Sequence, residues 1–314
     1  MTGRIYGLDA MRGIAAWLVL LMHASQALAG AHLAVDFFFM LSGFVMARTY
    51  EDRLRDKSLG VVAFLTRRYR RLWFTMAVGA SLGLVLHLYI MGPSAGLALT
   101  YLFAMLLIPY GAATPYLLNS PAWSIAYELL ANALHGLWLA KIGDRMLWAA
   151  LAVSSTAFMA AYSYGGFPRI LQYTSAETQL FVIFRAITAY IIGILLSRLT
   201  MKRSLPKVSF WAGAVALPAY IALVTVYPFA FWPLPFIFVV APLTMLAGLN
   251  PKVPKGPSAL LGDMSFPLYA IHMPVVQAGF YFGWPREAAV LLSVVMACLW
   301  IIRLPERRAN CLAT

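Results

Sequence analysis

Arg12 and His23 are the first residues whose types and spacing could do chemistry. Eleven steps of about 100° complete three turns plus about 20°, so both side chains fall on one helix face, the imidazole some 16 Å further along. A guanidinium can hold a phosphate, and a neutral imidazole can take a proton from a hydroxyl nucleophile. Asp36, Glu128 and Arg185 also interrupt apolar sequence. Ionisable side chains are costly in lipid unless they face protein or a water-filled cavity, which makes each a functional candidate; the bland alternative is hydrogen-bonded glue between helices. Asp36 or Glu128 is a candidate to orient the His23 ring, as a second group orients the base in catalytic triads.

Three further groups qualify. Arg67, Arg68, Arg70 and Arg71 form the densest basic run, preceded by Arg48, Arg53, Arg55 and Lys57. Such a run either binds anionic headgroups and fixes topology, or clamps the phosphates of a soluble donor. In Pro121-Ala122-Trp123-Ser124-Ile125-Ala126-Tyr127-Glu128, which follows a polar outer loop containing Asn119 and Ser120, Ser124 and Glu128 share a helix face, whereas Trp123 sits on another and suits an interfacial anchor. Tyr269 and His272 are neighbours at a spacing of three, placed by hydropathy toward the cytoplasmic half, where packing hydrogen bonds account for them as readily as catalysis.

The elements that must position these groups are membrane helices. The 314-residue chain is 62% hydrophobic and only 11% charged, against about 25% charged in an ordinary soluble domain. Ten stretches have the length to cross a bilayer: 10–29, 33–49, 72–91, 121–140, 146–164, 180–199, 210–229, 233–249, 266–283 and 288–304. A further stretch, 97–110, is short enough to be re-entrant or interfacial. The fold class is therefore all-α: a polytopic membrane helix bundle of about ten transmembrane helices, with one domain over residues 1–314. With ten crossings, all of the 24 lysines and arginines except Arg169, Arg185 and Arg286 fall on one side, which puts both termini in the cytoplasm. On this frame His23, Asp36, Glu128 and Arg185 sit at similar depth in the outer half, about 4 to 10 Å from the outer ends of their helices.

The net charge of +13 is spread over short loops rather than one soluble face, which fits orientation in a membrane and no nucleic-acid partner. Cys298 and Cys311 offer no structural disulfide. Ala27-Leu28-Ala29 imitates a signal-peptide cleavage site, but the next apolar stretch begins at once and no secreted domain follows. No metal and no internal repeat is expected. Buried His, Asp, Glu and Arg in ten spans also describe a proton-coupled secondary transporter of a small solute.

The residues resemble those of the acyltransferase 3 family of membrane O-acyltransferases. Leu8-Asp9-Ala10-Met11-Arg12-Gly13, followed by His23, is similar to the family's arginine, ten residues, histidine motif, and Val35-Asp36-Phe37-Phe38-Phe39-Met40-Leu41-Ser42-Gly43-Phe44 to its phenylalanine-rich Ser-Gly motif. The arginine run, the element from Trp123 and Ser124 to Glu128, and Leu261-Gly262-Asp263-Met264-Ser265-Phe266-Pro267-Leu268-Tyr269-Ala270-Ile271-His272 follow in the family's order. The chain departs from many members after Glu128, where Leu129, Leu130, Ala131 and Asn132 replace a second acid or an aromatic pair. The resemblance implies about ten helices in the bacterial cytoplasmic (inner) membrane and transfer of an acyl group, acetyl above all, from cytoplasmic acyl-CoA to a hydroxyl of a surface polysaccharide or lipid-linked glycan. It makes His23 the catalytic histidine supported by Glu128 and Asp36. It assigns Arg12, Arg67, Arg68, Arg70 and Arg71 to the donor, and Ser42, Trp123, Ser124, Arg185, Tyr269 and His272 to substrate or structural support. Acetyl-CoA enters as a substrate, with no tightly bound cofactor, and the partners are the bilayer, the glycan and polysaccharide-assembly proteins.

Overall fold

The computed structural model describes residues 3–25, 27–111, 114–165, 176–229 and 231–302. Arg169, Cys311, the cations from Arg303 onward and both ends of the chain lie outside them. Among the described residues there is no strand. An apolar run in lipid has to satisfy its own backbone polar groups, and a helix does so within one segment.

The helices are α1 (Tyr6–Ser25), α2 (Ala34–Arg55), α3 (Val61–Met91), α4 (Ala95–Met105), α5 (Ala122–Leu134), α6 (Asp144–Gly165), α7 (Ala176–Lys202), α8 (Phe210–Val226), α9 (Pro233–Gly248), α10 (Lys255–Phe282) and α11 (Arg286–Ile302). One 3-10 turn, Ala29–Leu33, leads into α2, and a π-helical turn, His135–Leu139, extends α5. Six rods, α1, α2, α3, α6, α7 and α10, are long and apolar enough to cross a membrane, while α5, α8, α9 and α11 are shorter. These ten rods coincide with the ten expected stretches, and the 11-residue α4 with the short one.

Two helices begin well before their apolar stretches, for one reason. α3 begins at Val61 and α10 at Lys255, because a helix continues through charged turns once outside hydrocarbon. This changes the depth of the groups on α10. Tyr6 opens α1 and Lys255 opens α10; His23 and His272 lie the same number of residues further on, and the two helices pack in parallel along their length. His272 is therefore level with His23, not displaced toward the opposite end as hydropathy alone places it.

Arg198 defines one end of the bundle. It pairs with Glu51 and Asp144 and donates to the carbonyls of Leu139 and Ile142, fastening together the last turns of α2, α5 and α7 and the first turn of α6. The basic residues of the α2–α3 connection gather at the same end, called the basic end below.

The α4–α5 connection folds back into the bundle. α4 starts on a Ser94 cap and runs back along α3, with Tyr101 OH 3.0 Å from Ser81 Oγ and the Met105 carbonyl accepting from Trp73 Nε1 at 2.6 Å. The chain then returns between helices, and Asn119, only 2% exposed, donates to the Ala270 carbonyl at 2.8 Å. Asn119 and Ser120 read as a polar outer loop; the structure instead buries Asn119 inside the bundle. Irregular backbone at that depth is tolerated only where protein surrounds it. Gly79 and Gly83 of α3 make the room, because a side-chain carbon on Gly83 would strike the Leu118 carbonyl and one on Gly79 the Asn119 amide and the Ala270 carbonyl.

Candidate active site

Arg12 and His23 both reach α10, which fixes them on one face of α1. Arg12 donates to the Gly262 carbonyl at 2.7 Å and to Asp9 at 3.1 Å. Further along, His23 Nδ1 lies 2.9 Å from His272 Nε2, with ring centroids 5.0 Å apart. His272 is fully buried, and its own Nδ1 faces the carbonyls of Leu268 and Tyr269 at 3.0 and 2.9 Å.

Neither acid considered as a partner for His23 touches it. Asp36 is held by Arg185 through a two-pronged pair, Nε to Oδ1 at 2.7 Å and Nη2 to Oδ2 at 2.5 Å, between α2 and α7. Glu128 accepts through Oε1 from Ser42 and from Arg68, both at 2.7 Å, joining α5 to α2 and α3. Arg68 is thus buried at 5% exposure and engaged, while Arg67, Arg70 and Arg71 are exposed and have no ion pair among the described residues. Arg71 stays within electrostatic reach of Arg12, Arg68 and Glu128, so the basic residues and the carboxylate form one connected field.

Ser124 and Tyr269 join the two halves. Their hydroxyls are 2.6 Å apart, and the Tyr269 ring meets Phe38 edge-on and lies 6.0 Å from His272. Trp123, on another face of α5 as expected, packs edge-on against Phe39 and Tyr127. With Tyr116, Tyr127 and Gln179 it walls a cavity of about 130 Å³.

Several partners escaped sequence reasoning. Arg4 pairs with Asp9 and Asp263 and donates to the Ala259 carbonyl, securing the start of α1 to α10. Burial works against its charge, but the two carboxylates outweigh that and hold the guanidinium above its ordinary value. Asp9 stands three residues before Arg12, a spacing that could have revealed their pairing. Nothing in the sequence points Tyr190 to Asn132, 3.0 Å apart, because they meet across two helices.

The site runs through α1, α2, α3, α5 and α10, so a relative sharing its geometry would have to match most of the chain. A relative from Rhizobium radiobacter, "Protein 2 in picA locus", is 31% identical over a region that covers 49% of this chain and 92% of its own length. No solved structure matches. The match to the acyltransferase 3 family, described as an acyltransferase domain, extends from residue 5 to residue 304, across every helix that contributes to the site, and the chain therefore belongs to that family.

Proposed function

We propose that this acyltransferase moves an acyl group, acetyl in the first instance, from a cytoplasmic acyl-CoA to a hydroxyl of a surface polysaccharide or lipid-linked glycan in the bacterial cytoplasmic membrane. The observation that carries the reading is the layout of α1. Arg12 stands at the basic end within electrostatic reach of the exposed Arg71, and on the same helix face, deeper in the bundle, stands His23 against His272. Unpaired guanidiniums suit the phosphates of coenzyme A, and the excess of positive charge at that end supports its being cytoplasmic. Arg68, already held by Glu128, serves instead to shape the inner wall.

In this scheme the thioester arm extends from the basic end toward His23. The imidazole removes the hydroxyl proton as the oxygen attacks the thioester carbonyl; the new O–C bond forms, the C–S bond breaks, and the proton passes to the departing thiolate. The hollow walled by Trp123, Tyr116, Tyr127 and Gln179 combines aromatic surface with one polar group, which suits part of a glycan acceptor.

The test is purified protein in proteoliposomes, given radiolabelled acetyl-CoA and a mixture of glycan acceptors. Release of coenzyme A with label appearing in the glycan is the expected outcome. Proton-driven solute uptake without coenzyme A release would show a transporter in its place.

A further inference from the structure

We propose that His272 is the positioning residue that sets the tautomer of His23, keeping Nδ1 as a donor and leaving Nε2 as a bare acceptor for a hydroxyl proton. This rests on the reading of His23 as the base. His272 is the buried end of the pair. His272 Nδ1 lies against two carbonyl oxygens, at 2.9 and 3.0 Å, and carbonyls only accept. That nitrogen must carry the hydrogen. Among the described residues no carboxylate contacts the pair, since Asp36 is occupied by Arg185 and Glu128 by Arg68 and Ser42, so a buried His272 rests neutral and its Nε2 presents a lone pair. At 2.9 Å from that lone pair, His23 Nδ1 is the donor. A neutral imidazole has one N–H, so His23 Nε2 is left free of hydrogen.

The arrangement has the logic of a catalytic triad with the orienting carboxylate replaced by a second imidazole. When Nε2 of His23 takes the hydroxyl proton, the bond to His272 becomes charge-assisted and shorter. A neutral partner supports that charge less than a carboxylate does, which lets the proton leave again for the thiolate.

Nitrogen NMR of histidine-labelled protein in nanodiscs tests the pairing directly, because two-bond correlations distinguish the tautomers. The chain has five histidines, and the His23 signals are those lost in His23→Gln. His23 and His272 are both expected to carry hydrogen on Nδ1. In His272→Phe, His23 should lose its single tautomer and kcat should fall by about 10²-fold or more, with KM for acyl-CoA unchanged. His272→Gln, which restores an acceptor oxygen, should recover part of kcat. Hydrogen on Nε2 of His23 in the parent, or a parent-like tautomer and kcat in His272→Phe, overturns the proposal. Should His272→Phe fail to fold, the parent spectrum still decides. A parent with the stated tautomer that acylates no hydroxyl refutes the function and leaves the pairing standing.

Discussion

At the scale of single residues, the guanidiniums divide by whether protein already satisfies them. Arg68, Arg185 and Arg198 are buried in ion pairs, whereas Arg70 and Arg71 are exposed at the basic end. Arg70→Gln and Arg71→Gln are therefore expected to raise KM for acyl-CoA and flatten its salt dependence, with little effect on the amount of folded protein. Acyl-CoA titrations at two ionic strengths check this, and unchanged affinity would leave the run as a lipid and topology anchor. The Asp36–Arg185 pair belongs to the other class. Asp36→Asn should lower stability by about 3 to 5 kcal/mol, read as a fall in melting temperature in detergent, because it strips a buried guanidinium of its counter-charge. Replacing both residues by apolar ones of similar size should cost less. Which residues carried unusual groups was legible from the sequence; their partners were not. Periodicity put Arg12 and His23 on one face, yet His23 meeting His272, and Asp36 meeting Arg185, depend on which helices lie side by side, and no spacing within one helix encodes that.

At the scale of elements, hydropathy found every rod, because the length of an apolar run is set by the bilayer. It misplaced the depth of α10, whose first turns are polar and fall outside the run, and it read Asn119 and Ser120 as an outer loop because polar residues buried beside protein look the same in sequence as polar residues in water. The α4–α5 connection depends on Gly83, whose missing side chain is occupied by the Leu118 carbonyl. Gly83→Val should displace that loop and cost about 1 to 3 kcal/mol or more, seen as a lower melting temperature and reduced acylation per folded molecule. Parent-like stability would show that α3 and the loop do not pack so closely. The loop matters to the site because it leads straight into Ser124, whose hydroxyl holds Tyr269 next to His272.

At the scale of the whole molecule, the bundle sets an exposed basic surface at one end and a histidine pair within the interior, and in the proposed scheme donor and acceptor approach them from opposite sides of the membrane. That polarity requires the basic end to be cytoplasmic. Reporters fused at either terminus, and on both sides of α4, should give cytoplasmic signals at both termini and matching signals across α4; an extracytoplasmic C-terminal reporter would invert the scheme. The central claim is that His23 is the base of acyl transfer, and His23→Gln tests it most directly, because Gln keeps approximate size and hydrogen bonding while removing the titratable group. Glycan acylation is measured per unit of monodisperse protein extracted in mild detergent. A loss of about 10² to 10⁴ in rate with folded protein near the parent level is the predicted result. Parent-like acylation per folded molecule would contradict the account and remove His23 from the mechanism.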